Sequence, residues 1–132
     1  MKIANLLLGT FVVTAAFSLQ AQEETEQERE CKRMRFLAQE ENKIKNYAGA
    51  ATYYLKGEIL CGGYDAANYD RMIGTLRNAV ATETDKTRKS AYTDTLVAAY
   101  DRQEKAGSYD PKNDLIRATF IVQATKPDRA KA

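Results

Sequence analysis

The stretch between the two cysteines, Cys31 to Cys61, limits most strongly how this chain can fold. Apolar or small residues recur there at the spacing of a helix face, first at Cys31, Met34, Leu37, Ala38 and Ile44, then at Tyr47, Ala50, Ala51, Tyr54 and Cys61, with Leu55 and Ile59 beside them. Gly62 and Gly63 end the second run, because glycine readily adopts the left-handed conformation that closes a helix. A tight turn near Asn46 would make the two predicted helices antiparallel. The cysteines at their open ends would then be neighbours.

The first residues have the pattern of a signal peptide. Lys2 precedes an apolar run at 3–17, and a polar stretch with small residues follows, so we expect residues 1–21 to be removed by cleavage after Ala21. The run is shorter than the roughly 20 residues of a membrane helix, and no second run follows. Charged residues rather than small ones precede Cys31, which argues against a lipid anchor. We therefore predict an exported protein, periplasmic or associated with the outer membrane, without an integral membrane span after cleavage.

Export favours a disulfide between Cys31 and Cys61, because oxidising compartments convert neighbouring thiols into disulfides. Two free buried thiols are the alternative. The bridge would close a loop of about 30 residues and contribute roughly 3 kcal/mol by restricting the unfolded chain.

Three further helices are predicted after this hairpin, at 65–82, 86–105 and about 111–125. Their apolar or core-facing positions are Tyr69, Met72, Ile73, Leu76, Ala79 and Val80 in the first, Tyr92, Leu96, Ala99, Tyr100 and Gln103 in the second, and Leu115, Ile116, Phe120, Ile121 and Val122 in the third. Asp110 and Pro111 mark the start of the last helix, since aspartate caps free amides and proline suits the first helical position. The predicted fold class is all-α. An acidic lead-in at 22–30 precedes one helical domain at 31–125, and a tail at 126–132 follows it.

Composition excludes several classes of function. The formal net charge of the whole chain is +2, and it falls to +1 without residues 1–21. A nucleic-acid-binding protein needs a dense basic surface, so this charge argues against nucleic acid as a partner. Histidine is absent, so the commonest general base and metal ligand are missing. Two cysteines alone do not make a structural zinc site. We predict no cofactor and no metal.

Carboxylate pairs are the remaining candidates for catalysis, for example Glu40 with Glu41 or Asp65 with Asp70. Such pairs can hydrolyse glycosides when a cleft holds the sugar. On helices with this density of charge, a solvated face is the simpler interpretation. The chain is therefore predicted not to be an enzyme, and a small carboxylate-pair hydrolase is a remote alternative.

The hairpin resembles the tetratricopeptide repeat, a helical hairpin with a period of about 34 residues. Counted from Cys31, the residues that fall on family positions are Met34, Leu37, Ala38, Ala50, Tyr54, Gly57 and Gly62, whereas Glu41 stands where the family has tyrosine. The segments NYAGAATYYLKGEILC and YTDTLVAAYDRQEK further resemble the N-terminal part of exported tetratricopeptide proteins of Bacteroidetes, over about 31–125. The resemblance implies an α-solenoid of stacked hairpins that serves as a scaffold.

In this family the first helix of each hairpin lines a binding groove. The resemblance would place there five polar residues, Lys32, Arg35, Gln39, Asn42 and Lys43, which suit an acidic peptide or a C-terminal carboxylate. An ordinary solvated helix face is the alternative. Tyr53 lies off the main stripe of its helix and is expected to face a partner.

The last predicted helix is a second candidate surface. Ile116 and Phe120 belong to an apolar surface that terminal repeats do not usually expose. We expect further repeats, another protein or a second copy of the chain to cover it. Together these features predict a non-enzymatic protein–protein interaction scaffold of the bacterial cell envelope. A periplasmic chaperone-like or stress-related binder is the alternative.

Overall fold

The computed structural model describes residues 23–124 and shows an all-α fold in this range. It has five α-helices, α1 (Glu26–Lys43), α2 (Tyr47–Leu60), α3 (Ala66–Thr82), α4 (Lys86–Lys105) and α5 (Asp114–Gln123), and a 3-10 helix (Pro111–Asn113) precedes α5. Residues 23–124 contain no β-strand, which confirms the predicted class. The predicted signal peptide (1–21) and tail (126–132) lie outside the described residues.

Side-chain caps fix where the helices begin. Thr25 starts α1 with a reciprocal capping box, in which its hydroxyl accepts from the amide of Glu28 and its own amide donates to the Glu28 carboxylate. The side chains of Asn46, Asp65 and Asp85 cap α2, α3 and α4 in the same position, each accepting from the third amide of its helix. Each capping residue is the last residue of the turn before its helix, and the turns between the first four helices are short, at 44–46, 61–65 and 83–85.

Consecutive helices pack against each other in antiparallel pairs. In the first hairpin, Cys31 near the start of α1 is bonded to Cys61 at the end of α2, with Cα atoms 5.1 Å apart. Gln27 also donates a hydrogen bond of 3.0 Å to the carbonyl of Leu60. In the second hairpin, Gln103 near the end of α4 donates to Asp70 near the start of α3. These contacts set the direction of all four helices.

The buried core runs through α2, α3 and α4. All six predicted positions of α3 are buried, and so are four of the five in α4, the exception being the half-buried Tyr92. Tyr54, Met72, Leu76, Leu96 and Tyr100 are its largest fully buried apolar side chains. The helical spacing in the sequence thus predicted the correct faces of both helices.

The predictions were wrong at several helix ends. Ile44 is 73% exposed because α1 stops at Lys43 and the backbone of Lys45 turns left-handed at φ 61°, so Ile44 lies beyond the helical period. Ile59, placed beside the apolar stripe of α2, is 80% exposed. Residues 111–125 do not form one continuous α-helix, because Asp110 caps a 3-10 turn through the amide of Lys112. Leu115 follows that turn and is 81% exposed.

Candidate functional site

A row of polar side chains runs along one face of α1 and reaches α3 at its C-terminal end. Lys32, Arg35, Gln39 and Asn42 are spaced by three or four residues and so share one helix face. The Asn42 side-chain amide donates a hydrogen bond of 2.8 Å to the hydroxyl of Thr75 in α3. This contact places the end of the row directly against the neighbouring hairpin.

The adjacent face of α3 extends the same polar surface. Asn68, Arg71 and Thr75 are again spaced by three and four residues, and Arg71 donates a hydrogen bond of 3.2 Å to the side-chain oxygen Oδ1 of Asn68. We call these seven residues, Lys32, Arg35, Gln39, Asn42, Asn68, Arg71 and Thr75, the α1/α3 surface. It combines three cationic side chains with amides and a hydroxyl, although Asn68 and Thr75 are buried and Glu24 pairs with Lys32 at one end.

The pKa of the Tyr54 hydroxyl is affected by the positive charges of this surface. The Tyr54 side chain is almost fully buried, and burial raises the pKa of its phenol. The positive charges of Arg71 and Arg35 oppose this rise, as does a hydrogen bond from Asn42. The positive charges of two arginines, one from each hairpin, therefore both lower the pKa of the Tyr54 hydroxyl.

Arg35 has unused hydrogen-bonding capacity. Its Nε atom is buried and, within residues 23–124, has no hydrogen-bond partner. A guanidinium group binds carboxylates through paired N–H donors, and because Nε is buried, an anionic ligand would have to contact the terminal nitrogens of Arg35. Lys32 differs, since its ammonium group is paired with Glu24.

The structure separates the other predicted contact residues from this surface. Lys43 is exposed and paired with Glu40 of its own helix. Tyr53 is half-buried and packs against the core, and Phe120 does the same from α5. Ile116 is also half-buried, whereas Leu115 and Val122 are the strongly exposed apolar residues of α5.

Sequence reasoning missed an ion pair between the two hairpins. Arg102 of α4 donates two hydrogen bonds of 2.8 Å to the carboxylate of Glu58 in α2, through Nε and one terminal nitrogen. Burial raises the pKa of Tyr69, and so does a hydrogen bond that its hydroxyl donates to Glu58. The two charged residues are 44 positions apart, and no local spacing relates them.

A second missed cluster attaches α5 to α4. Arg117 is 8% exposed, and one terminal nitrogen donates to Asp101 at 2.7 Å and contacts Glu104 at 2.6 Å. Its guanidinium carbon lies 4.6 Å from the centre of the Tyr109 ring. A cavity of about 570 Å³ borders this cluster. Carboxylates and an aromatic ring already surround the Arg117 cation, so these contacts hold α5 against α4.

The carboxylates that were considered for catalysis have separate structural contacts. Asp65 caps α3, and Asp70 accepts a hydrogen bond from Gln103. Glu40 is paired with Lys43, and Glu41 accepts from the side chain of Asn46. No cluster of three or more potential metal ligands occurs between residues 23 and 124.

No helix in the described range is long and apolar enough to cross a membrane. Comparisons of the chain with models of protein families, with curated proteins and with solved structures find no match.

Proposed function

We propose that this chain is a non-enzymatic scaffold of the bacterial cell envelope, related to tetratricopeptide proteins, which holds a protein partner on the α1/α3 surface. The carrying observation is the hydrogen bond of 2.8 Å from Asn42 of α1 to Thr75 of α3, which joins the two polar rows that contain Arg35 and Arg71. In a tetratricopeptide arrangement α1 and α3 are the first helices of their hairpins. They would therefore form the floor of the binding groove.

The chemistry of the surface favours an anionic segment of the partner. Its charged residues are all cations, of which Lys32 is paired with Glu24, and the exposed amide of Gln39 can bind a peptide backbone. An acidic peptide, or the carboxylate at the end of a chain, would complement this set.

The disulfide supports a location in an oxidising compartment, as export to the periplasm would provide. The exposed Leu115 and Val122 of α5 support a further contact at the end of the stack, with additional repeats, another protein or a second copy of the chain. Neither the oxidising compartment nor the contact at α5 depends on the α1/α3 surface.

The test uses a fluorescent peptide of alternating aspartate and glutamate with a free C-terminal carboxylate. We expect the oxidised chain to bind it with an affinity that falls as salt is added. Arg35→Gln combined with Arg71→Gln should weaken binding about tenfold or more, as expected for the loss of two charged contacts. The matched control is Arg33→Gln, since Arg33 lies on the same helix but is paired with Glu30 away from the surface.

Equal affinity of the double variant and the wild-type chain would exclude the α1/α3 surface as the binding site. A peptide of asparagine and glutamine with an amidated end should bind weakly to all of these proteins. Affinity purification from cell envelopes then separates the classes of function. A scaffold returns one or two stoichiometric partners, and the double variant loses them. A chaperone-like binder would instead return many weak partners through its exposed apolar side chains.

A further inference from the structure

A cavity of about 520 Å³ opens beside the C-terminal end of α2, away from the α1/α3 surface. Its apolar wall consists of Leu55 and Ile59 from α2 and the ring of Tyr69 from α3. The ion pair of Glu58 and Arg102 forms its polar wall. The volume lies in the range of about 300–1,000 Å³ that is usual for small-molecule sites.

Two glycines keep the mouth of this cavity open. Gly62 and Gly63 both have positive φ angles, 67° and 100°, which side chains rarely tolerate. A Cβ atom at Gly62 would meet nothing within 4 Å, and one at Gly63 would lie 3.9 Å from the Tyr69 hydroxyl. The turn that ends α2 therefore borders the cavity with backbone alone.

The polar wall is electrically balanced and offers one donor. Glu58 and Arg102 neutralise each other, and the side chain of Glu58 is nearly buried. Arg102 uses Nε and one terminal nitrogen for Glu58, whereas its other terminal nitrogen has no hydrogen bond within residues 23–124. A carbonyl oxygen could accept from this nitrogen. A carboxylate there would lose its hydration without meeting a net positive charge, because Glu58 already neutralises Arg102.

We propose that this cavity binds a small neutral molecule that joins an aromatic or branched alkyl group to a carbonyl group. The apolar part lies against Leu55, Ile59 and Tyr69, and the carbonyl accepts from Arg102. Ile59 is 80% exposed without a ligand, so binding would remove its side chain from water. This site does not depend on the proposed scaffold function, because none of its residues belongs to the α1/α3 surface.

The test follows the backbone amide signals of Gly62 and Gly63 by NMR while phenylpropionamide is added to the oxidised full-length chain. We expect saturable shifts of both signals. Phenylpropionate has the same ring and chain but is charged, and it should bind about tenfold more weakly or worse. Propylbenzene, which lacks the carbonyl group, should also bind more weakly.

Ile59→Ser should reduce the affinity for phenylpropionamide about tenfold, because it removes one apolar wall. The matched control is Ile44→Ser, at an isoleucine that is also exposed but lies at the opposite end of the first hairpin. It should bind like the wild-type chain, within about twofold. Both substitutions are at exposed positions, so the fold should be retained.

The proposal is overturned by any of three results. The first is that phenylpropionamide causes no saturable shift at Gly62 and Gly63. The second is that Ile59→Ser binds it as tightly as the wild-type chain does. The third is that phenylpropionate binds as tightly as phenylpropionamide. A peptide that contains one phenylalanine and has blocked ends tests whether the natural ligand is a protein segment instead of a small molecule. If it binds tenfold more tightly than phenylpropionamide, the cavity receives a peptide, and the assignment to a small molecule is wrong.

Discussion

The hydroxyl of Tyr64 donates a hydrogen bond of 2.6 Å to the backbone carbonyl of Tyr54, and the missing side chain of Gly57 makes room for it. A Cβ atom at Gly57 would lie 2.3 Å from the Tyr64 oxygen and 3.2 Å from the Cβ atom of Met34. Thus α1, α2 and the turn before α3 all meet at this glycine. Burial also raises the pKa of Tyr64, so its hydroxyl remains a donor.

Gly57→Ala should therefore destabilise the protein, although alanine is the better helix former. Overpacking costs about 1–3 kcal/mol and a contact of 2.3 Å belongs to the upper part of this range, whereas the gain in helix propensity is at most about 1 kcal/mol. The matched control is Gly74→Ala in α3, where a Cβ atom would meet nothing within 4 Å. It should stabilise the protein by about 0.5–1 kcal/mol. Urea unfolding at neutral pH measures both free energies.

Adding Tyr64→Phe identifies the cause of the Gly57→Ala effect. This second substitution removes the oxygen that the new methyl group would contact, so the double variant should be more stable than the sum of the two single effects predicts. Strict additivity would mean that the cost arises at Met34 instead. If Gly57→Ala were stabilising, the close approach of the helices would be contradicted.

Reduction of the Cys31–Cys61 disulfide should lower the free energy of unfolding by about 3–4 kcal/mol, because the bridge closes a loop with a sequence separation of 30 residues. The change is measured as the shift of the urea midpoint on adding reductant. A chain with both cysteines replaced by serine is the control, and its midpoint should not respond to reductant. Equal midpoints of the oxidised and reduced wild-type chain would contradict a stabilising bridge.

Much of the fold was predictable because the decisive patterns are local. The stripes of α3 and α4 repeat at the helical period, and a hairpin with cysteines at its open ends brings Cys31 and Cys61 together wherever the turn falls within a residue or two. The errors at Ile44 and Leu115 occur where burial depends on the residue at which a helix ends or begins. That boundary is set by the left-handed Lys45 and by the 3-10 turn after Asp110.

The sites were less predictable because they depend on contacts between hairpins. Asn42 was expected to serve a ligand, and the structure also ties it to Thr75, 33 residues away. The contribution of Arg71 could not be inferred until α3 was known to lie beside α1. The pairing of Glu58 with Arg102 is likewise invisible in the sequence, since each residue alone resembles any charged residue of a solvated helix.

Breaking the Glu58–Arg102 pair should cost more than breaking a surface pair. Glu58 is nearly buried and accepts two hydrogen bonds from Arg102, so we expect a coupling energy of about 2 kcal/mol in a double-mutant cycle of Glu58→Gln and Arg102→Gln. The control cycle uses Glu40 and Lys43, an exposed pair on α1 that should give about 0.5 kcal/mol or less. Urea unfolding measures each corner of the two cycles. Similar coupling in both would contradict the distinct environment of Glu58.

Tyr109 should make stability depend on alkaline pH. Burial and its hydrogen bond of 2.7 Å to Asp114 raise the pKa of Tyr109 to about 12, although Arg117 opposes the rise. An unfolded tyrosine ionises near pH 10, so the native state keeps this proton where the unfolded state has lost it. The contribution of Tyr109 is therefore complete below about pH 10 and is lost as the pH rises through about 12.

In Tyr109→Phe, the free energy of unfolding should decrease less steeply between about pH 10 and 12 than in the wild-type chain. The slope of the urea-unfolding free energy against pH is the measurement, since the substitution also removes a hydrogen bond at every pH. Some slope should remain, because burial also raises the pKa values of Tyr54, Tyr69 and Tyr100. Asp114→Asn provides an independent check: it removes the carboxylate that accepts the hydrogen bond, so it should also reduce the slope. An unchanged slope in Tyr109→Phe would show that this phenol has the same proton affinity in the native and unfolded chains.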